Sequence, residues 1–188
     1  MKPRHLTVLL SMFAATAAGA ESYTIDSRHT FPVFEVSHYG FSLQRGRFNK
    51  LVGKLELDPG AKRGSVDITI DMTSVDMGFE DWNKQMRGER FFQTDKFPQA
   101  RFVARDFAFD ADQPAPIGGE LTLLGVTRSV QLKVGQWRCA KHPILPRQLC
   151  GADLETAIKR SDFGMTANLP GIADDVRITI PVEALKDS

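Results

Sequence analysis

The stretch "FPVFEVSHYGF", residues 31–41, decides how the rest of the chain is read. Counted by twos, Phe34, Val36 and His38 share one face, while Glu35 and Ser37 share the other. That alternation belongs to a strand with one buried side, yet the buried side ends in an imidazole. Whether His38 is an ordinary core residue or the rim of something open depends on what the other strands enclose.

The same period of two runs through most of the chain. "SVDITIDMTSV" sets Val66, Ile68, Ile70 and Met72 against Asp67, Thr69, Asp71 and Thr73. "GGELTLLGVTRSVQLKV" reads as a hairpin, with Leu121 and Leu123, a turn at "LGVT", then Val130, Leu132 and Val134. "KLVGKLELDPG" carries Leu51, Gly53, Leu55 and Leu57 into a Pro-Gly turn. "QARFVARDFAFD" adds Ala100, Phe102 and Ala104, with Arg101 and Arg105 outward. "DDVRITIPVEAL" adds Val176, Ile178, Ile180 and Val182, and its Pro181 suggests an edge or terminal position. One stretch reads as helix, "DMGFEDWNKQMRGERFF". In it Phe79, Trp82 and Met86 form an apolar stripe, Asp76 is a candidate cap and Gly88 a stop.

About eight one-sided antiparallel strands with a single helix have little to cover a sheet from outside. Closure into a barrel lets one sheet bury its own face and removes its edges. An eight-stranded barrel can be filled or can hold a small ligand, and periodicity does not separate the two.

Residues 1–20 stand apart from this pattern. A basic start, "MKPRH", precedes the apolar "LTVLLSMFAATAA" and a small-residue "AGA", the form of a cleavable secretory signal rather than a membrane span. Cleavage after Ala20 leaves one domain, residues 21–188, and removes Lys2 and Arg4, so 22 basic residues face 23 acidic ones. Near-neutrality gives no electrostatic reason to expect nucleic acid. Export to an oxidising compartment favours a disulfide between Cys139 and Cys150 over a metal site built from Cys139, His142 and Cys150.

Six segments in order resemble the YceI-like family of secreted lipid-binding proteins. They are the F-x-V-x-H strand (Phe34, Val36, His38) with the following Gly46-x-Phe48, "TSVDM", "RGERFFQTDKFPQARF", "GELTLLGVTRSVQL" and "IKRSDFGM", with "VRITIPVEAL" near the end. The resemblance implies an extended lipocalin-like antiparallel barrel with an internal tunnel, a polyisoprenoid or prenyl quinone ligand, and no established catalytic reaction. At the helix, where many members carry an Arg-Asp pair followed by a His and a Leu, this chain has Trp82, Asn83, Gln85 and Met86. That departure favours a neutral head group.

The expected lining combines Phe34, Val36, Phe48, Leu55, Ile68, Ile70, Phe102, Leu121, Leu123, Leu132, Ile178 and Ile180 with Trp82 and Met86 from the helix. His38 has two readings: a mouth residue that hydrogen-bonds a head group, or a buried imidazole bonded to a carbonyl or to Asp162. Arg160 likewise either pairs with Asp162 on one strand face, pinning a bulge at Gly164, or meets an anionic head group. The helix, with Phe91 or Phe92 beyond it, is expected to lie over an opening. No cofactor is required. The expected partners are an isoprenoid lipid, the membrane in transient contact during exchange, and optionally a second copy of the chain. Two further functions stay open. One is a hydrolase acting on such a lipid through His38, Asp162 or Ser161, although no Gly-x-Ser-x-Gly elbow is present. The other is a stress-responsive interaction protein whose barrel is merely filled.

Overall fold

The computed structural model describes residues 19–109 and 115–188; apart from Gly19 and Ala20, the predicted leader lies outside the described residues. The alternating stretches become β1 (Glu21–Ile25), β2 (Val33–His38), β3 (Ser42–Phe48), β4 (Leu51–Asp58), β5 (Arg63–Asp71) and β6 (Val75–Asp76). Helix α1 (Glu80–Arg87) follows, then β7 (Gln99–Ala108), β8 (Ile117–Leu123), β9 (Val126–Lys141), β10 (Gln148–Lys159) and β11 (Ile172–Lys186). Every pairing is antiparallel, in the order β1-β4-β5-β7-β8-β9-β10-β11, and β11 returns to β1 through Tyr23↔Lys186 and Ile25↔Ala184. Eight strands therefore close the expected barrel.

The strand that opened the sequence reading lies outside this ring. β11 has 15 residues and β1 only 5, so β1 covers just the C-terminal end of β11. The N-terminal part of β11 takes β2 instead, from Thr179↔Val33 to Ile172↔His38, and β3 and β6 continue the sheet from there. The result widens one end of the barrel. β9 spans 16 residues, up to about 50 Å of strand, so the barrel is deep.

Pro181, for which the sequence suggested an edge or terminal position, is not terminal but lies at a local edge of the sheet. It lies inside β11, opposite Asp153, between the last β2 partner at Thr179 and the first β1 partner at Ala184. One side of β11 has no ladder neighbour there, so the missing N–H costs little. The β8–β9 connection is a two-residue turn with Leu124 at φ 52° and Gly125 at φ 75°, the left-handed geometry that matches hairpin twist. Outside the barrel the alternate positions carry charges, as in the Arg101–Asp67 and Arg177–Glu155 pairs.

Cys139 and Cys150 face each other across β9 and β10 and are disulfide-bonded. The bridge takes up both cysteines of the alternative Cys139–His142–Cys150 metal set, and His142 Nδ1 accepts the backbone N–H groups of Ile144 and Leu145 at 3.0 and 2.9 Å, tightening the hairpin beyond the bridge.

Helix α1 differs from its sequence reading in two respects. Asp76 does not cap it: its Oδ1 accepts the Gly78 N–H at 2.8 Å, and the helix starts after Phe79 without a side-chain cap. Asn83 Oδ1 ties the entry down by accepting the Met77 N–H at 2.6 Å. The acidic Glu80 and Asp81 and the basic Lys84 and Arg87 suit the helix dipole, and Gly88 ends the helix as expected. No residue of α1 is fully buried, and Phe79, expected in the apolar stripe, is 58% exposed. A helix laid across an open barrel end has little beneath it to pack against.

Candidate functional site

Inward-facing side chains form two buried clusters. Around Tyr23, Leu57, Phe107, Cys150 and Ala184 the barrel is packed shut. Tyr23 is 1% exposed, and its hydroxyl lies 2.7 Å from both Glu21 Oε2 and Gln148 Oε1. Burial raises the Tyr23 phenol pKa well above its ordinary value, and the bond to Glu21 adds to the shift. At the wider end Phe34, Phe48 and Phe92 stack with ring centroids 5.2–5.9 Å apart. Gly46 makes room for this contact, because a Cβ there would collide with Phe34 and Met77.

Between these clusters runs a cavity of about 290 Å³. It extends from Phe107, Val134 and Trp137 near the closed end to His38, Gln44 and Trp82 at the other. It is bordered by Phe34, Val36, Phe48, Leu55, Ile68, Ile70, Phe102, Leu121, Leu123, Leu132, Ile178 and Ile180 and, from the helix, by Trp82 and Met86; His38 and Arg160, each read in two ways from the sequence, border it too. Sequence reasoning missed Thr30, Gln44, Met77, Gln85, Met165 and Ile172, among others. Gln44 alternates in phase with Gly46 and Phe48, so its inward direction was readable. Met165 and Ile172 follow a turn that resets the phase, so theirs was not.

The wall is almost wholly apolar, and its few polar groups are informative. His38 ends β2 at the wide end, its ring edge-on to Tyr39 at 4.9 Å. Among the described residues, its ring forms neither the carbonyl bond nor the Asp162 bond proposed for it. Gln44 of β3 and Gln85 of α1 border the same region.

Arg160 also departs from expectation. β10 stops at Lys159, and Arg160–Phe163 turn as a 3-10 helix closed by Gly164 at φ 83°. The turn destroys the strand phase that put Arg160 and Asp162 on one face, so Asp162 is exposed while Arg160 is 4% exposed. The guanidinium donates to the carbonyls of Ala173, Met165, Ala167 and Ile172 at 2.9–3.0 Å. Four of its five N–H groups are thereby engaged. Burial lowers its pKa, partly offset by the nearby Asp174 carboxylate. Asp174 itself accepts from Ser161 Oγ at 2.7 Å and from the Ser161 N–H at 2.9 Å. Ser161 is thus held by the Asp174 carboxylate through both its hydroxyl and its backbone N–H.

Among the described residues, Asp26, His29 and Glu183 bring three metal-type ligand atoms within 4.8 Å of one another. They lie outside the bore, and Arg28 already holds Asp26 through two hydrogen bonds of 3.1 Å.

The fold has counterparts among known proteins. A YceI-like domain model matches residues 23–184. Protein YceI of Escherichia coli O157:H7 is 33% identical over 96% of this chain and 95% of its own. A UPF0312 protein of Shewanella denitrificans is 33% identical over 99% of this chain and all of its own. Among solved structures, Burkholderia cenocepacia BcnA superposes with a TM-score of 0.69 at 26% identity, covering 85% of this chain and 98% of that one. A polyisoprenoid binding domain from Saccharophagus degradans, 21% identical, shares the fold at a TM-score of 0.64 over 89% and 99% of the two chains. With its domain spanning nearly all the described barrel, the chain belongs to the YceI-like family.

Proposed function

We propose that this protein binds an isoprenoid lipid, its tail in the bore and its polar head near His38, Gln44 and Gln85. It would serve as a periplasmic carrier or store, without making or breaking bonds. The observation that carries the reading is the continuous apolar cavity, packed shut at the β1 end and bordered by His38, Gln44 and Trp82 at the other. Burying a prenyl chain there returns roughly 0.8 kcal/mol per CH2-sized group, about 3 kcal/mol for each isoprene unit. A few units then offset the cost of immobilising the chain. The fold shared with a polyisoprenoid binding domain agrees with this, as do the secretory leader read from residues 1–20 and the disulfide, which suits an oxidising compartment.

The rim chemistry favours a neutral head group such as a quinone. Gln44, Gln85 and His38 can supply hydrogen bonds, whereas Arg160, the one buried cation among the described residues, has most of its donors engaged by carbonyls. Native mass spectrometry of the protein purified from a periplasmic fraction should show a bound prenyl lipid. Lipid-free protein that also refuses added prenyl quinone would refute the reading.

A further inference from the structure

Five of the eight bulky apolar side chains exposed among the described residues gather at one end of the barrel. Tyr39, Phe41 and Leu43 are 56%, 91% and 52% exposed on the β2–β3 hairpin, and Phe79 and Trp82 of the α1 region are 58% and 42% exposed. The topology brings the two groups together. β6 pairs antiparallel with β3, so the chain leaving Asp76 heads back along β3 toward Ser42 and the hairpin tip. Trp82 and Gln85 of α1 then meet His38 and Gln44 on the wall of the same cavity. The hairpin is braced from behind, with the Tyr39 N–H donating to the Gly171 carbonyl at 2.6 Å. The exposed rings and Leu43 therefore form a collar around the mouth of the bore, on a hairpin held in place.

An apolar collar of this kind is unusual on a surface that otherwise alternates apolar-in and charged-out. Its charge is as informative as its apolarity. From Ser37 to Gln44, "SHYGFSLQ", eight consecutive residues include no Asp, Glu, Lys or Arg. Tyr and Trp are the side chains that settle at a lipid–water interface, apolar body inward and polar tip outward. An aqueous partner protein would need no link between collar and bore, whereas a lipid source does. A prenyl chain is held in a bilayer, and moving it through water to the cavity exposes the surface that the cavity exists to bury.

We propose, on the lipid-binding reading above, that the collar docks on a phospholipid bilayer, so that a prenyl chain passes from membrane to bore without crossing water. Docking is driven by the insertion of Phe41, Leu43 and the neighbouring rings, and not by attraction to anionic lipids. It therefore persists on uncharged phosphatidylcholine and changes little with salt.

Phosphatidylcholine vesicles, with and without prenyl quinone, test this with the wild-type protein, with Phe41→Ser/Leu43→Ser, and with Ile144→Ser as a control. Ile144 is 86% exposed at the opposite hairpin, and neither Phe41 nor Leu43 borders the cavity. Flotation should show the wild type and the control bound to quinone-free vesicles. The double variant should bind on the order of a hundredfold more weakly, about tenfold for each large side chain kept from the interface. Its uptake of quinone from vesicles should slow in parallel, while its loading from detergent micelles matches wild type. Wild type that stays unbound, or a double variant that still floats, would overturn docking. So would a wild-type dimer in sedimentation that the double variant splits, because the collar would then be covered by a second copy. Failure of the wild type to load from micelles would strike the lipid-binding reading instead. Docking is still read separately, from the quinone-free vesicles.

Discussion

Replacing Arg160 with Met should destabilise the barrel severely, by an amount that the structure allows to be bounded. The guanidinium donates to four carbonyls, of Ala173, Met165, Ala167 and Ile172, all within 3.0 Å. Met has nearly the same length but no donor, so the substitution keeps most of the volume and removes all four bonds. A buried acceptor left without a partner costs about 1–3 kcal/mol. Some of these carbonyls would find water through the mouth, so counting two as fully orphaned gives about 2–6 kcal/mol. Urea unfolding with an unchanged m-value measures the loss directly. Arg160→Lys separates charge from geometry: an ammonium keeps the charge but cannot reach four acceptors from one planar fork. Lys should therefore recover less than half of the lost stability. Lipid loading of the folded fraction should hardly change in either variant. A loss below about 1 kcal/mol for Met, or full recovery by Lys, would refute the assignment of Arg160 as the clasp of this turn. A variant of wild-type stability that releases lipid would return Arg160 to the head-group site.

The other expectations concern the bore, the bridge and the acid limb. Ile180→Trp projects a larger ring into the cavity; stability should stay within about 1 kcal/mol, where a filled core would lose about 1–3, while the lipid recovered by extraction falls sharply. Reducing the Cys139–Cys150 bridge, which closes a loop of about a dozen residues, should cost about 3 kcal/mol by the loop-entropy relation, measured by urea unfolding with and without reductant. Asp187 is held at about 2, below its ordinary 3.8, by hydrogen bonds from Lys54, Thr24 and Ser22. Its contribution is therefore complete above pH 3.8 and lost as the pH falls toward 2. In Asp187→Asn the melting temperature should fall less steeply across that window than in wild type. Gln44→Leu with Gln85→Leu should leave total prenyl uptake within about threefold but erase any preference for a quinone over a tail without a head, read by competition in native mass spectrometry.

The lining was legible from the sequence for a simple geometric reason. In a closed sheet there is one inside, so the parity of a strand fixes which of its residues face it. Ile68, Phe102, Leu121 and Ile178 all reach the cavity by this rule, and Phe34 reaches it by the same alternation on β2, which pairs with β11 outside the closed ring. The rule fails wherever the backbone changes phase. Gly164 at φ 83° closes the turn that sends Arg160 inward and leaves Asp162 outside, and nothing in "IKRSDFGM" announces which carbonyls will surround the guanidinium. Those carbonyls lie up to thirteen residues away, in a segment whose shape is set by the contact itself. Helix α1 shows the complementary limit. Its apolar positions follow the helical period, but whether they are covered depends on what lies below. Trp82 and Met86 border the cavity, while Phe79 remains in solvent.

Hollowness is a different kind of property, because no single strand carries it. Closing eight strands fixes a barrel radius, and side chains of ordinary size then either meet across the axis or do not. At the narrow end they meet: β1 seals β11, and Tyr23 and Phe107 fill the section. Farther along, β2 replaces β1 beside β11 and brings β3 and β6 with it, widening the wall beyond what the same inward residues can span. The aromatic cluster of Phe34, Phe48 and Phe92 packs along that wall and leaves the axis open. The cavity thus follows from one inequality of length, a fifteen-residue β11 against a five-residue β1. The same inequality puts the uncharged tip of the β2–β3 hairpin, residues 37–44, at the mouth. A single topological step accounts for the cavity and for the rim at its mouth. Extending β1 along β11 to displace β2 should therefore abolish both together.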